Sequence, residues 1–203
     1  MAKLKLTKSS LKQERDSLKR FQRFLPTLQL KKQQLQMETM RSLERVEKNK
    51  AREEKFKQNI SSWVSLFGFE PEYEKINSWI DVESVDTEQH NIAGVDIPIY
   101  VTTRFKLKSY DLFNESPWID DAIKAVCDLI EIRKERDVLL EQYRRINREL
   151  RVTTQRVNLF EKIKIPESKE NIRVIQIYLG DQQTSAVGKS KIAKKKLAEV
   201  AND

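Results

Sequence analysis

Ala122 to Phe160 reads AIKAVCDLIEIRKERDVLLEQYRRINRELRVTTQRVNLF. Within it Ala122, Ala125, Leu129, Ile132, Arg136, Leu139, Tyr143, Ile146, Leu150, Thr153, Val157 and Phe160 step by three and four residues in one phase, and only Arg136 is charged. An apolar repeat of about 3.5 residues, sustained this long, keeps one stripe turned toward a partner helix, so the spacing predicts a coiled-coil helix. Arg136 in that stripe either sets the register or snorkels its charge to the edge.

Working outward, the chain holds a second candidate arm. Leu11, Leu18, Phe21, Leu25, Leu28 and Leu35 repeat the same spacing. The phase then drifts through Met40, Leu43, Val46, Phe56 and Ile60, as a stutter would produce. Ser10 with Gln13 fits a capping box at its start, and Pro26, lacking an amide donor, is expected to kink or break it. Four Gly and five Pro in 203 residues leave 27 to 67 and 118 to 165 free of either breaker. Sandwiches, barrels and doubly wound sheets use more of both, so the composition argues for long helices.

Between the arms lie all three Trp and ten of the sixteen aromatics, in 63 to 118. Ile80–Val85 and Ile97–Phe105 are β-branched and aromatic runs separated by the turn-like Asn91-Ile92-Ala93-Gly94-Val95, which predicts a β-hairpin around 80–105. The expected class is mainly α: a long antiparallel two-helix coiled-coil hairpin with a small head containing that hairpin. The arms would be 1–62 and 118–203 and the head 63–117. If residue 60 lies opposite 118, Leu11 lies near 167, and about 30 residues after Pro166 project past their partner. Pro166 suits the first position of a renewed helix, on which Ile172, Ile175, Leu179, Val187 and Ile192 leave only a thin apolar stripe.

Charge follows the same division. Residues 1–60 carry 17 Lys and Arg against 7 Asp and Glu, whereas 61–118 carry 4 against 10, within a net charge of +8. Basic arms and an acidic head invite different partners. One Cys (Cys127) and one His (His90) exclude a disulfide framework or a Cys/His zinc site, and no catalytic constellation surrounds either. Cys127 reads as an inert, partly buried thiol. Gly188-Lys189-Ser190 copies the end of a phosphate-binding loop, but residue 183, where its first glycine belongs, is Gln183. Lys194-Lys195-Lys196 and a pI near 9.4 raise nucleic-acid binding, yet acids are interleaved with the bases and no aromatic stacking set accompanies them. No signal peptide or membrane span is expected, since the longest uncharged run is Gln58–Phe69. No cofactor or metal is expected, and the default location is cytoplasmic.

Three segments in order resemble the D-subunit family of the rotary V-type ATPases and ATP synthases. They are Leu6–Leu11 with Phe24-Leu25-Pro26-Thr27 and Leu30–Leu35; the turn Asn91–Val95 with Ile97-Pro98; and Arg156-Val157-Asn158 through Glu161, Ile165-Pro166, Ile172 and Ile175. The two-glycine tail and the Pro26 region look like the bacterial branch. The resemblance implies a central-stalk rotor subunit without chemistry of its own, carrying torque between an ATP-processing hexamer and a membrane ion-translocating rotor. Arg156, Val157, Asn158, Glu161, Ile165 and Pro166 would then be a shaft motif. Implied partners are the catalytic and regulatory subunits of the hexamer, a small accessory stalk subunit and a membrane-rotor adaptor, with peripheral membrane attachment through the complex. Gly180, Ala186 and Gly188 would let the shaft turn without locking to one side. Two other readings are a non-rotary coiled-coil adaptor or chaperone arm, and a basic coiled-coil nucleic-acid binder.

Overall fold

The computed structural model describes residues 4–61, 76, 78–110, 115 and 117–200, the last three as backbone. The fold is mainly α. Helix α1 spans Lys8–Ile60, strands β1 and β2 span Ile80–Ile92 and Val95–Leu107, and α2 spans Ile119–Leu159. A π-helical turn, Phe160–Lys164, joins α2 directly to α3, Ile165–Val200. Contacts divide the chain into two compact units, residues 32–152 and residues 1–31 with 153–203.

Thr7 starts α1: its Oγ1 accepts the Ser10 amide at 3.2 Å, and its carbonyl accepts the Leu11 amide at 3.0 Å. The expected Ser10–Gln13 capping box is therefore corrected, because Ser10 already lies inside the helix. Pro26 does not break α1, which continues through it. The ring sits on the exposed side, where water can take the carbonyl it frees.

In the unit 32–152, α1 and α2 run antiparallel. Leu35 and Ile146, each fully buried, share a core with Ile97 of β2, and Asn49 Nδ2 donates to Glu135 Oε2 at 3.0 Å. The expected stutter does not occur. Thr39, Ser42, Val46, Asn49, Glu53, Phe56 and Ile60 are each buried or half-buried and continue the Leu11–Leu35 phase, while Met40 and Leu43 are 76% and 46% exposed. Polar residues occupy the seam here, so hydrophobicity alone points to the wrong face.

The hairpin pairs Ile92 with Val95 and Ile80 with Leu107, with register shifts at Val82/Ser84 and Asp86/Thr87. Ala93 (φ 52°) and Gly94 (φ 78°) make the two-residue turn, whose positive angles match the strand twist. Asn91 Oδ1 accepts the Gly94 amide at 3.0 Å, and Asn91 Nδ2 donates to Asp96 Oδ1 at 2.6 Å. Each strand has 13 residues, about 40 Å of extended chain, which equals the rise of α2 from Ile119 to Ile146. The hairpin accordingly lies along α2. At its base Ile76, Ile80, Ile119, Ala122 and Ile123 form a core covered by Trp79, Phe105, Tyr110 and Trp118, with the Trp79 and Tyr110 rings stacked at 5.1 Å. At its tip Ile92, Ala93 and Val95 pack beside Leu35 and Ile146. Trp63, Gly68 and Pro71, which belong to the expected head, lie outside the described residues.

In the other unit, Phe21 packs on Phe160 with ring centroids 5.2 Å apart, and Asn171 Nδ2 donates to Glu14 Oε1 at 3.3 Å. These pairs set Leu11 opposite a residue near 174 and not 167. The expected register is anchored on helix ends, whereas the packed side chains fix it several residues further along.

Candidate functional site

All eight seam residues read from α2 and the π turn are buried or half-buried: Leu129, Ile132, Leu139, Tyr143, Ile146, Leu150, Val157 and Phe160. Within the unit 32–152 the middle of that seam is polar. Glu53, with its side chain 5% exposed, accepts from Arg133 Nε at 3.1 Å and from Arg136 Nη1, and Lys57 Nζ lies 3.2 Å away. Burial pushes the Glu53 carboxyl up, but the hydrogen bonds from Arg133 and Lys57 and the charges of Arg136 and Lys57 outweigh it, so its pKa falls below the ordinary 4.5. Arg136 therefore does not snorkel; it answers a buried acid on the facing helix. One turn away Glu135 Oε2 accepts from Asn49 and from Arg52 at 3.2 Å.

A second polar contact ties the hairpin to the seam. Buried Gln142 donates through Nε2 to the Pro98 carbonyl at 2.6 Å, and Arg145 Nη1 reaches the Asp96 carbonyl at 3.3 Å. In an antiparallel strand the N–H and C=O of one residue point to the same side. The amide hydrogen that Pro98 lacks would thus face α2 and not β1, and the ladder loses no bond. Asn91, Ile92, Ala93, Gly94 and Val95 are brought together as the turn that seats this contact.

The Arg156–Pro166 segment surrounds the π turn. Val157 faces inward at 3% exposure, Ile165 is half-buried, and Arg156, Asn158, Glu161 and Pro166 are exposed. The Ile165 amide donates to the Phe160 carbonyl, five residues back. Proline at 166 has no amide to donate, and in an α-helix its ring would press on the carbonyl four residues back. The wider π turn immediately before it removes that clash. It also adds one residue to the seam: inward positions recur at seven through buried Ile132, half-buried Leu139, and buried Ile146 and Thr153 to half-buried Phe160, then skip eight to buried Ser168 before resuming at seven with Ile175. Pro166 sits at the second residue of α3, not at its first.

After Ile175 none of the residues through Leu197 is buried, and a Cβ built on Gly180 or Gly188 meets nothing within 4 Å. Gly188, Lys189 and Ser190 lie inside α3, not on a loop. Cys127 is half-buried, and burial, then Asp128 and Glu131, push its thiol up, away from the reactive thiolate. His90 is exposed on β1. Among the described residues no cluster of His, Cys, Asp and Glu could hold a metal ion, and no helix is long and apolar enough to cross a membrane.

Sequence reasoning missed Ser42, Asn49 and Glu53 as seam positions, and Gln142 as the contact between α2 and the hairpin. The signal for Ser42 and Asn49 is the seven-residue spacing Leu35, Ser42, Asn49, Phe56, and for Glu53 the spacing Thr39, Val46, Glu53, Ile60, legible once polar residues are admitted to the stripe.

Known proteins carry the same sequence pattern from end to end. The family described as the D subunit of ATP synthase matches residues 10–195. A V-type ATP synthase D subunit of Borreliella burgdorferi is 47% identical over 197 residues, covering 97% of this chain and 96% of the relative. Proteins of the same name from Chlamydia pneumoniae and Chlamydia caviae are 32% and 30% identical, over 96% and 98% of this chain and 93% and 95% of theirs. With that match over most of its length, the chain belongs to the ATP synthase D-subunit family and stands with its bacterial V-type members.

Proposed function

We propose that this chain is the central-stalk shaft of a rotary V-type ATP synthase. It carries torque between the ATP-processing hexamer and the ion-translocating membrane rotor, and makes or breaks no bond itself. The observation that carries the reading is the free end of α3: a helix that continues to Val200 although none of its residues from 176 through Leu197 is buried against its own chain. A polar, thinly apolar helix is poorly stable alone, so a surrounding partner is implied. The bore of the hexamer of catalytic and regulatory subunits is that partner in this reading. The aromatic, acidic residues 63–117 then form a head that meets a small accessory stalk subunit and a membrane-rotor adaptor, and 1–62 and 118–203 are the arms of the shaft. The protein is held at the membrane periphery through the complex.

Torque needs a stiff rod whose two helices do not slide past one another. The Glu53–Arg136 and Asn49–Glu135 contacts support this, because a charged or amide pair inside a seam is satisfied in only one register. The test is ATP hydrolysis and ion pumping by the reconstituted complex with the chain present, absent, or truncated after Leu179, which leaves the packed seam intact. Pumping lost in the last two cases, with hydrolysis by the hexamer retained, is the expected result. Coupled pumping without the chain would turn the account to the adaptor reading.

A further inference from the structure

We propose that Lys8, Lys12, Arg15, Lys19 and Arg23 of α1 form an interaction surface for a carboxylate-rich protein surface on another subunit of the complex. The proposal rests on the assembly proposed above and deepens it.

The five residues follow each other at three- and four-residue steps. At 3.6 residues per turn they fall within about 80° of arc, as a row about 22 Å long. All five are exposed, and none of them makes an ion pair among the described residues. Lys8, Lys12, Arg15 and Lys19 also line a shallow groove together with Leu11 and Leu18, in which Asp16 is the only carboxylate.

Two features of the row work against the helix that carries it. Like charges at such spacing repel, by a few tenths of a kcal/mol per pair in isolated helices. Lys8 also stands at the wrong end, because the first turn of a helix carries partial positive charge and α1 has no acid there. Elsewhere on the same helix the pattern is the opposite: Arg41 pairs with Glu38, Lys48 with Glu44, and Lys57 with Glu54. A row that lowers the stability of its own helix in two ways fits a partner that supplies the missing negative charge. Carboxylates of a protein fit better than phosphates of a nucleic acid, since the groove that the row lines holds Leu11 and Leu18 but no aromatic side chain for base stacking, and Asp16 stands in it.

The experiment compares three full-length chains: wild type, a variant with all five residues changed to Gln, and a charge-keeping variant (K8R, K12R, R15K, K19R, R23K). Each is titrated into the complex lacking this subunit, over a series of salt concentrations. The Gln variant is expected to bind about tenfold or more weakly at low salt and to converge with wild type at high salt, whereas the charge-keeping variant stays within about twofold. Circular dichroism and thermal unfolding of the free subunit separate this from misfolding, and the Gln variant is expected to be at least as stable as wild type. Equal binding of Gln variant and wild type would overturn the row alone. Failure of the wild type itself to join the complex would overturn the stalk reading together with the row. Tight binding of a fluorescent DNA duplex by wild type, lost in the Gln variant whose assembly is unchanged, would overturn the choice of a protein partner.

Discussion

A carboxylate inside a two-helix seam is stable only when its neighbours hold its charge, and Glu53 has Arg133, Arg136 and Lys57 to do so. Because the folded pKa lies below the ordinary 4.5, this group adds stability above that pH and loses it as the pH falls through 4.5 toward the folded value. Glu53→Gln is therefore expected to lower the melting temperature at pH 7 and to flatten the acid limb below pH 4.5. Glu53→Ala should cost about 2–3 kcal/mol, less than a fully buried pair, because Arg133 stays half exposed. The double change Glu53→Leu with Arg136→Leu should be near neutral in stability, since apolar packing replaces the pair. Loss of that double variant's fold would mean that the pair stabilises more than it orients.

Among the elements, the π turn explains why a proline sits within a continuous helical run. Deleting Lys162 should restore an ordinary α-helical phase that still delivers Ser168 and Ile175 to the seam. It should also return the Pro166 ring to a carbonyl four residues back, costing about 3 kcal/mol. The deletion is thus expected to be tolerated with Pro166→Ala and damaging without it, as read by thermal unfolding. Equal melting temperatures for the two deletion variants would show that the turn has another cause. The free end of α3 makes a separate prediction. A Cβ added at Gly180 or Gly188 finds open space, so Gly180→Leu and Gly188→Leu should stabilise the helix by somewhat under 1 kcal/mol each, yet coupled pumping should fall. Unchanged pumping would count against close passage of this end through a bore.

The same elements show what a sequence can and cannot disclose. The α2 stripe is legible because eleven of its twelve positions are uncharged, and the hairpin because the turn-like Asn91–Gly94 separates the β-branched runs Ile80–Val85 and Ile97–Phe105. The α1 seam is not, because Ser42, Asn49 and Glu53 take inward positions while Met40 and Leu43 face outward. The π turn is hidden too. Its only trace is one extra residue between Phe160 and Ser168, which has meaning once burial is known. The seating of the hairpin tip beside Leu35 and Ile146 depends on strand length matching helix rise, and no local motif records it.

For the molecule as a whole, family membership is established and rotation is the claim that goes beyond it. In the shaft proposed here, the polar contacts at Glu53 and Asn49 would hold the two helices in one register and the exposed end of α3 would be left for another subunit. The most direct measurement fixes the catalytic hexamer of the reconstituted complex to a surface and follows a probe attached at exposed Gln89 on the hairpin while ATP is supplied. The account predicts that the probe turns in one direction and stops when ATP is withdrawn. Continued ATP hydrolysis with a stationary probe, in complexes that pump ions, would contradict it.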